Sequence, residues 1–117
     1  MKRCILLLLL FAAATLIASA AETSVKGYLV DISCAEEEGQ KPGFGAKHTR
    51  DCLQMDECDK SGYGVLTDDR QVIRFDDAGN AKARKFIADL KKTNDIKVMV
   101  TGSMKGESMA VSKLELQ

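Results

Sequence analysis

Hydrophobic and polar residues alternate along several short stretches of the chain, and this period of two predicts five strands. The first covers residues 25–33, with Tyr28, Val30 and Ile32 on one face. The second and third are short and lie on either side of a polar turn, which predicts a hairpin. A change of inward phase between Val111 and Leu114 predicts a β-bulge in the last strand. The four later predicted strands cover residues 63–67, 72–75, 96–104 and 109–116.

Three other segments show no strand alternation. Apolar residues recur at helical spacing after Asn80, a residue that favours a helix N-cap, and predict an amphipathic helix that ends near Lys92. Residues 48–60 contain good helix formers and precede Ser61-Gly62, so they predict one short helix. Residues 34–47 contain three glycines, a proline and a run of glutamates, and predict a loop.

The order of these elements predicts a mainly β, α+β fold. It is a small five-stranded OB-like barrel with one helix between strands 3 and 4 and an inserted cysteine-bearing helix between strands 1 and 2. Gly27 and Gly102, each inside a strand, are expected where such a barrel bends sharply. An open α+β sheet covered by one helix is the alternative architecture.

The amino terminus has the pattern of an export signal. Lys2 and Arg3 precede an apolar run at residues 5–17, and the small residues 18–20 follow. The run is shorter than the roughly 20 residues that a membrane-spanning helix requires. We therefore expect a cleaved signal peptide at residues 1–20, a single OB-like domain at residues 21–117, and a secreted or periplasmic protein without a stable membrane anchor.

Removal of this segment changes the charge and the cysteine count. The full chain has 17 basic and 17 acidic residues; loss of Lys2 and Arg3 leaves 17 − 2 = 15 basic residues and a net charge of −2. A mildly acidic domain with few aromatic residues is not expected to bind nucleic acid. Cys4 is also lost, so three cysteines enter a compartment in which disulfides persist.

The remaining cysteines and the single histidine are the candidate chemical site. On one continuous helix, the 3.6-residue period would place His48, Cys52, Met55 and Cys58 on one face. Cys34, at the end of the first strand, would approach them through the loop. Six residues of continuous helix would separate Cys52 from Cys58 by more than the 7 Å that a disulfide allows.

Three interpretations of this cluster are open. In the first, Cys34 forms a disulfide with Cys52 or Cys58 and attaches the inserted helix to the barrel. In the second, Cys34, His48, Cys52 and Cys58 bind zinc, or bind Cu(I) with Met55 as a further ligand. In the third, His48 activates Cys52 for thiol catalysis.

Several motifs resemble those of a group of small exported bacterial proteins of unknown function. They are the opening Gly-Tyr-Leu-Val-Asp strand with Cys34 after it, the Cys…His-x3-Cys-x5-Cys segment, and the Ser61-Gly62-Tyr63-Gly64-Val65 stretch. The closing strands resemble those of exported bacterial OB-fold domains. This resemblance implies export and a small β-barrel, and it implies no activity.

Together these features predict a non-enzymatic binding or structural module whose inserted helix is held by a Cys34 disulfide. Its partner would be an unidentified protein or small ligand, and it would need no cofactor. A metal-binding module with zinc or copper is the alternative, and a thiol-dependent enzyme is a minor one.

Overall fold

Residues 21–117, the part of the chain that the computed structural model describes, contain five strands and five helices. The predicted signal peptide, with Cys4, lies outside these residues. The strands are β1 Thr23–Asp31, β2 Tyr63–Leu66, β3 Val72–Phe75, β4 Lys97–Lys105 and β5 Ser108–Leu116. The helices are α1 Ile32–Glu38, α2 Phe44–Lys47, α3 Arg50–Leu53, α4 Asp56–Ser61 and α5 Asp77–Asp89.

The strands form one mixed sheet in the order β1-β2-β3-β5-β4, and β4 also pairs with β1. The β3–β5 pairing is parallel and the others are antiparallel. The predicted hairpin is confirmed as the antiparallel pair β2–β3. The predicted bulge is also confirmed, because Thr101 pairs with Lys113 whereas Gly102 pairs with Val111, which leaves Ser112 as the extra residue.

The predicted strand glycines lie where neighbouring backbones approach closely. A Cβ atom on Gly27 would lie 2.2 Å from the carbonyl oxygen of Leu66, and one on Gly102 would lie 2.2 Å from that of Ala110. Only glycine avoids both overlaps, so the close approach of the neighbouring strands requires glycine at these two positions.

The main core lies between the sheet and α5. Strand residues pack against Ala83 and Ile87 of the helix, both fully buried at the predicted spacing. The predicted N-cap at Asn80 is wrong. Asp76 caps α5 by accepting a hydrogen bond from the backbone N–H of Gly79, while the side chain of Asn80 accepts one from the backbone N–H of Tyr63. The strand residues of this core include Leu29, Val65, Phe75, Val98, Val100 and Met109.

Both faces of β1 are buried at its C-terminal end, over residues 29–31. Leu29 belongs to the main core, whereas Val30 lies in a second cluster with Ala35 and Leu66 beneath the inserted helices. Ile32, predicted as a strand residue, belongs to α1. The alternation correctly identified a strand as far as Asp31, and the inserted helices cover the face that bears Val30.

The predicted loop and single helix between β1 and β2 are wrong, because four short helices occupy this insertion. The predicted helix at residues 48–60 is interrupted at Met55, whose ψ of 141° is extended. The hydroxyl of Tyr63 donates a hydrogen bond to the carbonyl of Leu53, at 2.7 Å, and so anchors the end of α3. Cys52 and Cys58 therefore lie on different helices, and the distance argument from a continuous helix does not apply to them.

Within residues 21–117, no helix has the length and apolarity needed to cross a bilayer.

Candidate metal centre

Asp31 lies at the junction between the sheet and the insertion, as the last residue of β1 and the N-cap of α1. One carboxylate oxygen, Oδ2, accepts hydrogen bonds from the backbone N–H of Cys34 at 3.0 Å and from the hydroxyl of Ser33 at 2.8 Å. The residue is 0% exposed. A buried carboxylate is stable only when such bonds replace its hydration, so the capping interaction also fixes the position of the charge.

His48 binds the other oxygen of the same carboxylate. Its Nε2 lies 2.6 Å from Asp31 Oδ1, and the residue is 7% exposed. The imidazole follows directly after α2 and packs against the ring of Phe44, with ring centroids 4.9 Å apart. Because an ionised carboxylate can only accept, Nε2–H is the donor. The ring is thus held between an aromatic neighbour and a buried charge.

Two thiols lie beside this pair. Cys34 Sγ, on α1, is 4.0 Å from Cys58 Sγ, on α4. The two sulfur atoms and a carboxylate oxygen of Asp31 all lie within 4.8 Å of one another. Backbone contacts hold the helices together here: Ile32 N–H donates to the carbonyl of Gly62 at 3.0 Å.

Burial and the hydrogen bonds shift the pKa values of these groups in opposite directions. Burial opposes ionisation of Asp31, but the hydrogen bonds from His48, Cys34 and Ser33 outweigh it and hold the carboxyl pKa well below its usual range. Burial, followed by the adjacent Asp31 charge, raises the pKa of the Cys34 thiol to about 12. The same two causes raise the pKa of Cys58. Without a cation, the site therefore contains one carboxylate and two protonated thiols.

The structure brings together only some of the residues that the sequence singled out. The thiols of Cys34 and Cys58 are adjacent. His48 forms a hydrogen bond with Asp31, whose carboxylate lies beside both thiols. Cys52, on α3, is outside the group of converging donors. Met55 is 58% exposed, and it too is outside this group. No disulfide joins the three cysteines of residues 21–117, which are all free thiols.

Asp31 is the site residue that the sequence analysis missed. A usable signal was present, since an aspartate that ends a buried apolar strand and precedes a cysteine by three residues fits an N-cap directly before a helix. The predicted strand continued through it to residue 33, and that error concealed the cap.

The combination of one oxygen donor and two sulfur donors is suited to a metal ion of intermediate softness. One carboxylate and two thiol groups are typical ligands of zinc, and a histidine that hydrogen-bonds a ligating carboxylate is a common outer partner. The 4.0 Å sulfur separation is close to the edge of about 3.8 Å expected for a tetrahedron with Zn–S bonds of about 2.3 Å. Comparison with known proteins finds no matching family model, curated protein or solved structure.

Proposed function

We propose that this chain is an exported, non-enzymatic module with an OB-like barrel, and that its inserted helices form a zinc site. Support for the barrel comes from the strand order, the parallel β3–β5 pairing and the position of α5 between β3 and β4. Support for export comes from the signal pattern at residues 1–20 and the resemblance to small exported bacterial proteins.

The observation that carries the zinc proposal is the convergence of Asp31, Cys34 and Cys58 within 4.8 Å. Burial and the nearby Asp31 charge raise the pKa of both thiols in the metal-free site. A bound divalent cation would oppose both effects, because its positive charge stabilises the thiolates. Both thiols would bind as thiolates, because coordination to a dication deprotonates a thiol. Water or an external group would supply the fourth ligand of a tetrahedral shell.

The arrangement favours zinc over Cu(I). A Cu(I) site would be expected to use soft sulfur ligands alone, and Met55 was the thioether that the sequence offered. Met55 is exposed and outside the cluster, whereas the nearest additional donor is the carboxylate of Asp31. An oxygen donor beside two sulfurs is more suitable for zinc.

His48 has a positioning role in this proposal. Its bond to Oδ1 orients the carboxylate while Oδ2 is held by α1, so Asp31 enters the site with little rotational freedom. Thiol catalysis by a His48–Cys52 pair has no such support, because within residues 21–117 the side-chain hydrogen bond of His48 goes to Asp31 and none joins it to Cys52. The raised pKa of Cys34 also makes that thiol a poor nucleophile at neutral pH.

The proposal is tested by native mass spectrometry of the purified, fully reduced protein with added Zn²⁺. We expect one zinc ion per chain, and we expect Cys34→Ser and Cys58→Ser to abolish its binding. Cys52→Ser is the matched control and should retain the ion. Cobalt substitution adds a spectroscopic check, since two thiolates should give thiolate-to-cobalt charge-transfer absorption. A reduced wild-type protein that binds no metal would refute the proposal.

A structural disulfide is the second candidate, supported by the proximity of Cys34 and Cys58. Their sulfur atoms need to approach by about 2 Å to bond. The cross-link would close a loop between residues 24 apart in sequence and contribute about 3.5 kcal/mol by restricting the unfolded chain. Peptide mapping of the protein as isolated, without reductant, tests this candidate. A quantitative Cys34–Cys58 linkage that resists mild reductants would favour it over zinc.

A further inference from the structure

We propose that the zinc site is redox-controlled: oxidation of Cys34 and Cys58 to a disulfide expels the ion, and reduction restores its binding. This inference rests on the proposed zinc site and concerns its regulation. The two thiols supply two of the three protein ligands, so a bond between their sulfur atoms removes most of the site in one event.

The geometry allows the sulfurs to bond without rebuilding the fold. Cys34 and Cys58 lie on separate short helices, and their Sγ atoms are already 4.0 Å apart. Cys34 is half-buried whereas Cys58 is buried. A small disulfide in solution can therefore reach Cys34 first, and Cys58 is placed to react with the product.

The oxidant is a low-molecular-weight disulfide such as glutathione disulfide. The metal-free Cys34 thiol is a poor nucleophile, but in the zinc-loaded protein the cation would keep it deprotonated. This Cys34 thiolate attacks one sulfur atom of the small disulfide, which forms a mixed disulfide and releases the first small thiolate. The Cys58 thiolate then attacks the Cys34 sulfur, which forms the internal disulfide and releases the second small thiolate. The two protein thiolates lose two electrons, the small disulfide gains them, and zinc leaves as Zn²⁺ with its charge unchanged.

The rest of the site is prepared for loss of the ion. Asp31 already accepts hydrogen bonds from His48, from the hydroxyl of Ser33 and from the backbone N–H of Cys34. Departure of zinc therefore does not leave a buried carboxylate without partners, which would be costly. The Asp31 carboxylate therefore has hydrogen-bond partners without the ion, so the zinc-bound and the metal-free forms of the site can both be stable.

Cys52 provides an internal control for the specificity of the reaction. It is half-buried like Cys34, but it lies on α3 and outside the donor group. The inference predicts that the internal disulfide joins Cys34 to Cys58 even though a third thiol is present.

The experiment begins with reduced wild-type protein loaded with one equivalent of Zn²⁺ and then exposed to glutathione disulfide. A chromophoric chelator follows zinc release, and peptide mapping identifies the disulfide. We expect release of one equivalent of zinc together with one Cys34–Cys58 bond, and full rebinding after reduction and addition of Zn²⁺. Cys52→Ser should behave in the same way as the wild type.

The possible outcomes distinguish failure of redox control from failure of the zinc site itself. If the reduced protein never binds zinc, the zinc site itself is refuted. If zinc binds and remains bound after oxidant is added, with no Cys34–Cys58 bond formed, or if the disulfide formed includes Cys52, the site stands and redox control is refuted. A Cys34–Cys58 bond that forms while zinc stays bound refutes both proposals, because the ion would then be held by residues other than these two cysteines.

Discussion

Asp31 is the residue on which the insertion depends. Its two carboxylate oxygens satisfy the first turn of α1, the hydroxyl of Ser33 and the imidazole of His48. All of these groups are buried or half-buried, so water cannot replace the carboxylate if it is removed. One short side chain therefore connects the end of β1 with α1 and with the residue that follows α2.

Replacing Asp31 by alanine should destabilise the protein by about 3 kcal/mol, because the imidazole and the helix start would be left buried without their partner. Urea unfolding followed by circular dichroism measures the loss. Asp51→Ala is the control, since that side chain is 90% exposed and should change the free energy of unfolding by less than about 0.5 kcal/mol. Equal effects of the two substitutions would contradict the role assigned to Asp31.

The lowered pKa of Asp31 predicts a loss of stability in acid for the metal-free, reduced protein. The folded pKa lies well below the ordinary value of 3.8, so the contribution of this carboxylate is complete above that value and declines as pH falls below it. By pH 3 the wild type should have lost about 1 kcal/mol of this contribution. Asp31→Asn should lack this component, and unfolding curves at pH 6 and pH 3 compare the two proteins. An identical pH dependence in both would exclude Asp31 as its source.

At the scale of elements, α2 packs closely against β1 because Gly45 has no side chain. A Cβ atom there would lie 2.3 Å from Cδ2 of Tyr28 and 2.6 Å from its Cγ, close to the base of a half-buried ring. The ring cannot move aside freely at that point, so any larger residue must displace the helix. His48 follows this helix directly, and its position depends on the same contact.

Gly45→Ala should therefore lower stability by about 1–3 kcal/mol and weaken zinc binding as well, because it shifts the residue that orients Asp31. Lys47→Ala, at an exposed position of the same helix, is the control and should change neither property by a measurable amount. Unfolding in urea and competitive zinc titration give the two readouts. Unchanged zinc affinity in Gly45→Ala would show that α2 does not position the site.

The elements that could be predicted from sequence are those with a repeated pattern. Apolar residues recur at i, i+3, i+4 and i+7 from Ala83 to Leu90, and this spacing predicted the α5 helix although its N-cap was not predicted. The short helices of the insertion have too few residues to show periodicity, and their ends depend on tertiary contacts. The bond from Tyr63 to the carbonyl of Leu53 is one such contact, and no local signal near Met55 marks the break.

The candidate site was predicted in part for the same reason. The sequence singled out Cys34, His48 and Cys58 because cysteine and histidine carry distinctive chemistry, and the structure places all three around Asp31. Its assignment of Cys52 and Met55 to the same face required a continuous helix, and the interruption at Met55 separates them from the converging donors. Asp31 was missed because one aspartate among 17 acidic residues is informative only when its burial is known.

At the scale of the molecule, the insertion covers the face of β1 that the main core leaves free. Val30 packs beneath it with Ala35 and Leu66, while Leu29 faces the main core. The metal donors lie along this junction: Asp31 belongs to the strand, and the two thiols belong to helices at opposite ends of the insertion. They converge only when the sheet and the insertion are both folded.

Zinc should consequently stabilise the whole domain rather than one loop. An ion that binds only the folded state at a free concentration 100 times its Kd adds about 2.7 kcal/mol to the free energy of unfolding. We expect urea unfolding of the reduced protein to show this increment as one cooperative transition. Cys52→Ser should retain the increment and Cys58→Ser should lose it. Cys58→Ser lacks one of the three proposed protein ligands. If zinc stabilised this variant by the same amount, the ion would have to bind elsewhere in the protein.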